Sequence, residues 1–513
     1  MSWNNGYVSD IEYPAGFFHA QSPMQLNFAC LMHGYEPVAP ERAFTYCELG
    51  CGQGFTANVL AASNPHGRFY AFDFNPAHVA VARALADEAG LDNLTVLENS
   101  FADLVEGKVD LPQFDFVTMY GVYGWVNEEN RQYIVDFLVR YVKPGGIVYV
   151  NYNTMPGWAA MLPLQRLMVD YGDMHAGGSL RRYEQARQLV DRLVAVQARY
   201  FDANTGPDMT AHLDVIRHAS PGYLAHEYMN RGGQAHYHRD VARQLAAAKL
   251  DYVGSAELFR AFPYLSLTPQ QQKLLDTVPS VMRETVADYL QNTPFRQDVY
   301  VRGARPLTLA RQKEWMSRIG LALTVPRAMV KYQMDCPSGV VIDRRDLYEP
   351  VLDALEKAPC TLAELGALPA LAQETTATVY EIAALLITSG QACGYGPDTG
   401  AHNAPARAMN QAIALHSRYD KRYHAFASPL AGTGINVDSV MRRVYRVLCE
   451  PGDVLDAGAV ASRVWDMMVG EGYFADTAGQ RFTEDEEGRE ALAETVHTIL
   501  KQHVPLWRQL KVL

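Results

Sequence analysis

Between Phe44 and Ser63 the chain reads FTYCELGCGQGFTANVLAAS, with glycines at positions 50, 52 and 54. An apolar run precedes them and a helical one follows. A strand that breaks into a glycine-rich bend at the start of a helix lets bare backbone N–H and C=O groups approach a ligand closely. The spacing separates ligand classes. Dinucleotide loops need G-x-G-x-x-G, whereas this bend is G-x-G-x-G, and no Lys-Ser or Lys-Thr pair closes it as a phosphate-cradling loop requires. An acid, Glu48, stands two residues before the first glycine. A second, Asp73, ends the next apolar run, GRFYAFDF, where the two hydroxyls of a ribose would find a bidentate acceptor.

From Thr45 to Asn153 the hydrophobic period switches repeatedly between strand and helix. TYCEL, RFYAFD, NLTVLEN, FDFVTMYG and IVYVNYN are strand candidates. NPAHVAVARALADEAGL opens with Asn75 as a cap and Pro76 in the first turn, and places Val79, Ala82, Leu85, Ala86 and Ala89 on one face. NEENRQYIVDFLVRY turns Ile134, Phe137, Leu138 and Tyr141 inward. Such alternation predicts an α/β fold, a parallel sheet covered on both sides. After Trp158 the chain becomes mostly helical, then LDYVGSAEL and RQDVYVRGA supply late strands of the same sheet. A further shift comes at DCPSGVVIDRRD, beyond which helix, turn, helix and short strand suggest a winged-helix-like segment near Asp353 to Tyr395. At 513 residues, three domains are expected: 1–158, a lid and ligand-binding domain; 159–330, a helical middle domain with late strands near 250–303; and 331–513, a mostly helical C-terminal domain.

ELGCGQG together with YAFDFNP resembles the S-adenosylmethionine pocket of class I methyltransferases, whose sheet is Rossmann-like. The resemblance implies S-adenosylmethionine as cofactor. It assigns Glu48, Gly50, Gly52 and Gly54 to the methionine part and ribose, and Asp73 to the ribose hydroxyls. Phe74, Asn99, Ser100 and Phe101 fall beside the adenine. Many members carry an acid after the third strand where this chain has ENSF, so an amide or hydroxyl would meet the adenine amine.

Methyl transfer needs alignment and exclusion of water more than acid–base help. A lysine acceptor adds one demand, because its amine, with a pKa of about 10.4, must first lose a proton. Acceptor-pocket candidates lie in MYGVYGWV and NYNTMPGW: Tyr120, Tyr123, Trp125, Asn151, Tyr152, Asn153 and Trp158, an aromatic wall suited to a methylammonium product. Tyr120, Tyr123, Trp125, Asn151 and Tyr152 are the expected catalytic set. No [D/N]-P-P-[Y/F] signature is present, which weakens a base-amine or glutamine acceptor. GVYxWV, YNTxPGW and LAHEYMNRGGQAHYHRDVARQLAAAKLDYVGSAEL make the resemblance narrower. They are similar to bacterial methyltransferases with a methyltransferase regulatory domain, among them the rickettsial protein lysine methyltransferases. That likeness implies a protein lysine acceptor and a homodimer, with Tyr13, Gln21 and Ser22 closing over the cofactor. The chain departs from the group's H-G-V-Y-S-W, with Tyr120 for the histidine and Gly124 for the serine, so a shared substrate is not implied. A small-molecule or glycan acceptor, with the inserted helices as lid, is the alternative.

A net charge of −12 argues against a nucleic-acid partner. The helix ATVYEIAALLITSG carries no Arg or Lys, so a DNA-reading regulator is disfavoured and an interaction or dimerisation element is expected there. Seven scattered cysteines without a CxxC pair read as reduced thiols in a cytoplasm. No signal peptide or spanning segment is visible. No metal is expected, since His226, His236 and His238 have no acid or cysteine partner at ligand spacing.

Overall fold

The computed structural model describes residues 8–203, 207–333, 344–400, 403–416, 422–451, 456–472, 474, 476, 477 and 480–513. Most of the DCPSGVVIDRRD boundary lies outside them. Seven strands form one sheet: β1 (Thr45–Leu49), β2 (Arg68–Asp73), β3 (Leu94–Glu98), β4 (Phe114–Met119), β5 (Val142–Asn153), β6 (Leu250–Ser255) and β7 (Phe295–Arg302). Their order is β3-β2-β1-β4-β5-β7-β6. The first five are parallel, and β7 runs antiparallel between β5 and β6. The two late strands therefore join the same sheet, as their sequences suggest.

The covering helices follow the patterns in the sequence. They are α1 (Pro23–Met32), α2 (Phe55–Ser63), α3 (Pro76–Glu88), α4 (Phe101–Val105) and α5 (Glu128–Tyr141). Asn75 caps α3 by accepting from the N–H of Ala77 at 3.0 Å. The apolar stripes of α3 and α5 are buried. The order reverses about β1, with β2 on one side and β4 on the other, and such a switch opens a crevice beyond the strands' carboxyl ends.

Helices between Leu162 and Met229 build a separate core around Met161, Met168, Tyr183 and Tyr228, into which Val8 and Trp158 insert. A small sheet pairs the strand Gly320–Leu323 with Cys360–Thr361 and Ala392–Tyr395, so the sequence boundary at 330 falls inside a paired unit. The helix Thr376–Thr388, expected as an interaction element, instead packs inside: Val379, Tyr380 and Ile382 to Ile387 are buried, and its apolar sequence fills a core. Farther on, the hairpin Ala425–Ser428 and Thr433–Asn436 closes over α2. Ser63 Oγ donates to the Thr433 carbonyl at 3.1 Å and Asn64 Nδ2 to that of Gly432 at 2.8 Å. All nine residues of α2 are buried. Among the described residues no helix is long and apolar enough to cross a membrane.

Candidate functional site

The bend after β1 is held by short-range sterics. Gly50, Gly52 and Gly54 have φ of 69°, 54° and 66°. A methyl on Gly50 would lie 2.5 Å from Val122 Cγ2, and one on Gly54 2.5 Å from Ala82 Cβ. Packing thus demands glycine at both. Gly52 differs, since a methyl there would meet no protein atom within 4 Å, and the residue lines a pocket beside the bend. Its N–H donates to Asp73 Oδ2 at 2.9 Å. Asp73 Oδ1 accepts from the N–H of Asn75 at 2.9 Å and lies 3.3 Å from His78 Nδ1, so the carboxylate ties the bend to the start of α3.

Glu48 is buried at the end of β1. Gln21 Nε2 donates to its Oε1 at 3.0 Å, while Oε2 has no partner among the described residues. Burial pushes the carboxyl up to about 8 against the Gln21 hydrogen bond, and the charge of Asp73 adds to the rise. The N-terminal strap crosses above. Tyr13 N–H donates to His78 Nε2 at 3.3 Å, and Gln53 Nε2 to the Tyr13 carbonyl at 2.7 Å. Phe18 N–H donates to Thr56 Oγ1 at 3.1 Å, and that hydroxyl donates to the Gly16 carbonyl at 3.0 Å.

The pocket so formed is lined by Tyr13, Glu48, the three glycines, Asp73, Phe74, Asn99, Ser100, Phe101, Tyr120 and Trp125. Of the expected cofactor-side residues only Gln21 and Ser22 stand back from the wall. Gln21 acts through Glu48, and Ser22 caps α1 by accepting from Gln25 N–H at 3.3 Å. Ser100 caps α4 reciprocally with Asp103. Tyr120 stacks on Phe18, with centroids 3.7 Å apart.

The acceptor-side expectation needs correction. Tyr123 is fully buried and donates to Gln244 Oε1 at 2.5 Å. Tyr152 is also buried and donates to Asp298 Oδ2 at 2.6 Å. Asn151 Oδ1 accepts from Gly121 N–H at 2.7 Å and so shapes the loop after β4. None of the three lines the pocket. For Tyr152 the reason is β7, whose pairing beside β5 brings Asp298 next to it and supplies the charge that its hydroxyl meets. Of the expected catalytic set, Tyr120 and Trp125 remain at the wall.

Beneath that edge Arg296 binds Asp298 at 2.9 Å, Asp288 at 2.8 Å and Glu284 at 2.8 Å, and His238 Nδ1 lies 3.2 Å from Asp298. His226 Nε2 pairs instead with the Ile11 carbonyl at 3.0 Å, so these histidines serve separate networks.

Wall residues that fasten the strap escaped the sequence reading. Gln53 and His78 lie in the wall and fasten the strap. A His five residues after the second-strand acid was the available signal for the latter. Glu227, in the helix Pro221–Met229, hydrogen-bonds with Asn153 and Tyr223, and burial raises its carboxyl to about 7.

A methyltransferase domain model matches residues 47–146, and a model described as a predicted methyltransferase regulatory domain matches 220–302. The uncharacterized protein sll1526 of Synechocystis sp. is 34% identical across 100% of both chains. The uncharacterized protein RP028 of Rickettsia prowazekii is 26% identical over 43% of this chain and 86% of its own. Among solved structures, PKMT2 from Rickettsia typhi in complex with AdoHcy shares the fold, with a TM-score of 0.69 and 17% identity, over 95% of this chain and 98% of that one.

Proposed function

The chain belongs to the class I S-adenosylmethionine-dependent methyltransferases that carry a methyltransferase regulatory domain, and from that premise we propose that it methylates lysine side-chain amines of proteins. The pocket's own chemistry fits the donor. The space over Gly52 takes a ligand without a clash, and the unpartnered Glu48 Oε2 awaits a donor such as an α-ammonium. Asp73 sits where ribose hydroxyls can be held, and Phe74 and Phe101 flank the adenine end. Bound there, the sulfonium supplies an electrophilic methyl: an N–C bond forms, the C–S bond breaks, and its electron pair returns to sulfur.

The observation that carries the acceptor reading is the aromatic wall. Tyr120, Phe18 and Trp125 line the pocket, and no Lys or Arg among the described residues does. Such a surface favours a cationic acceptor and an alkylammonium product over a phosphate-bearing one. The fold neighbour's name, PKMT2, and the sequence motifs support the same reading. The six described cysteines are free, in keeping with action in the cytoplasm, and we extend to this chain the homodimer that the family resemblance implies.

Incubation with radiolabelled S-adenosylmethionine and a protein mixture, followed by acid hydrolysis, tests the acceptor. Label in N-methyl-lysine is expected. Label in an unchanged small metabolite would overturn the lysine assignment. That outcome would favour the small-molecule alternative, whose support is the strap hydrogen-bonded across the pocket through Tyr13, Gly16 and Phe18.

A further inference from the structure

Trp125 reaches the pocket wall from the loop after β4, and behind it runs a short segment of the stretch matched by the regulatory-domain model, residues 232–236. That segment is stitched to the ends of both β4 and β5. Gln234 N–H donates to the Gly124 carbonyl at 2.8 Å, and His236 N–H to that of Asn153 at 2.9 Å. The His236 carbonyl accepts in turn from Met155 N–H at 3.1 Å and from Thr154 Oγ1 at 2.7 Å. Buried Arg131, on α5, closes the ring by donating to the Val126 carbonyl at 2.5 Å and to Gln234 Oε1 at 3.1 Å. Inside this frame the half-buried indole of Trp125 lies on bare backbone. A methyl on Gly233 would stand 2.8 Å from Trp125 Cε3 and Cζ3, closer than carbon atoms approach, and 3.2 Å from Gln165 Nε2. A methyl on Gly232 would instead meet the Trp125 carbonyl oxygen at 2.8 Å. Neither glycine has a left-handed backbone, so an alanine at 233 is opposed by the indole and not by its own φ.

We infer that Gly233 is a positioning residue for transfer: its bare backbone lets Trp125 sit back from the pocket, so that the middle segment sets how wide an acceptor the wall admits. The inference rests on the reading above of this wall as the acceptor side. Gly233 itself does not line the pocket and acts through the indole. What matters is which atoms give way when the contact is crowded. The backbone at 233 is held through residues 234 and 236, and the loop carrying Trp125 is held through Gly124 and Val126. The indole turns on two side-chain bonds and is the part that yields. Behind it stands the stitched segment, and before it lies the pocket. A methyl at 233 therefore drives the ring by about 1 Å into the space an acceptor needs, the gap between a 2.8 Å approach and an ordinary carbon contact. Shifts of that size count, because transfer requires the reacting atoms about 3–3.5 Å apart and aligned.

The test compares wild type, Gly233→Ala, Trp125→Leu and the double variant in the full chain, with radiolabelled S-adenosylmethionine and lysine-rich peptides. Gly233→Ala is expected to lower kcat/KM for the peptide at least tenfold while AdoHcy affinity in calorimetry stays within threefold. Leucine lacks the six-membered ring that the methyl would meet, so in the Trp125→Leu background the same change should cost less than twofold. Equal losses in the two backgrounds, or an AdoHcy affinity that falls in parallel with turnover, overturn the inference. A second arm needs no acceptor. In protein labelled with 5-fluorotryptophan, the Trp125 fluorine signal is the one lost in Trp125→Leu, and Gly233→Ala should displace it in the AdoHcy-loaded state. Displacement with AdoHcy affinity retained supports the positioning even if wild type methylates no peptide, an outcome that counts against the lysine assignment alone. An unmoved signal overturns the positioning even if methyl-lysine forms.

Discussion

Asp298, under the antiparallel edge of the sheet, and Glu48, at the mouth of the pocket, are both carboxylates cut off from water, yet they hold their protons at opposite ends of the scale. Burial raises both. At Asp298 the charge of Arg296, with hydrogen bonds from His238 and Tyr152, more than reverses that rise and holds the group at about 2. At Glu48 only the Gln21 amide opposes burial, and the carboxyl remains at about 8. The first cluster is complete within the protein and holds β5, β7 and the helix Ser280–Gln291 together. The second is short of a cation and is completed by what binds.

Replacing the guanidinium should break the comparison most violently. Arg296→Met leaves Asp298 and Asp288 buried, and Glu284 half-exposed, without their partner and should cost about 3–5 kcal/mol in urea unfolding. A cost under about 1 kcal/mol would mean the cluster is not structural. Gly52→Ala tests the other side. A methyl in that space should weaken AdoHcy binding about 100-fold in calorimetry. It should cost only about 1–2 kcal/mol of stability, for a left-handed alanine. If stability drops without any change in binding, the bend does not face the ligand.

Tyr152→Phe probes which cluster owns that residue. Loss of one hydrogen bond to a buried charge should remove about 1.5–3 kcal/mol of stability and leave AdoHcy affinity unchanged. Weaker binding with intact stability would return Tyr152 to the pocket. A further effect is protonic. Between its ordinary 4.5 and about 8, Glu48 keeps a proton in the folded protein that the unfolded chain gives up, so stability of the free protein falls as pH rises through that window. AdoHcy should expel that proton at pH 7, seen as a buffer-dependent binding enthalpy. Glu48→Gln should abolish the dependence. Asp298 has the opposite sign: its contribution is full above 3.8 and is lost as pH falls toward 2, which should appear as an acid unfolding limb.

The same contrast explains what could be read from the sequence. The bend, Asp73 and the alternating elements were legible because they are local, set by spacing, by caps such as Asn75 and by stripes such as Val79–Ala82–Leu85. The strand identities of residues 250–255 and 295–302 were also legible. What the sequence did not disclose is that β7 would lie against β5 and place Asp298 beneath Tyr152, since a register between strands separated by about 140 residues leaves no short-range trace. Tyr123 and Tyr152 therefore looked like lining and are instead buried, donating to Gln244 and Asp298. The apolar helix at 376–388 misled for a related reason, because a helix without Lys or Arg reads equally as a docking face or as a core element, and only its neighbours decide.

The hairpin at 425–436 makes the tail a working part of the ligand-gripping half. Shortened versions ending near residue 158 or 330 would leave the oily flank of α2 wet, and the bend springs from the first turn of that helix. Such fragments should therefore be sticky and poor at gripping the nucleoside even though every residue of the signature is present.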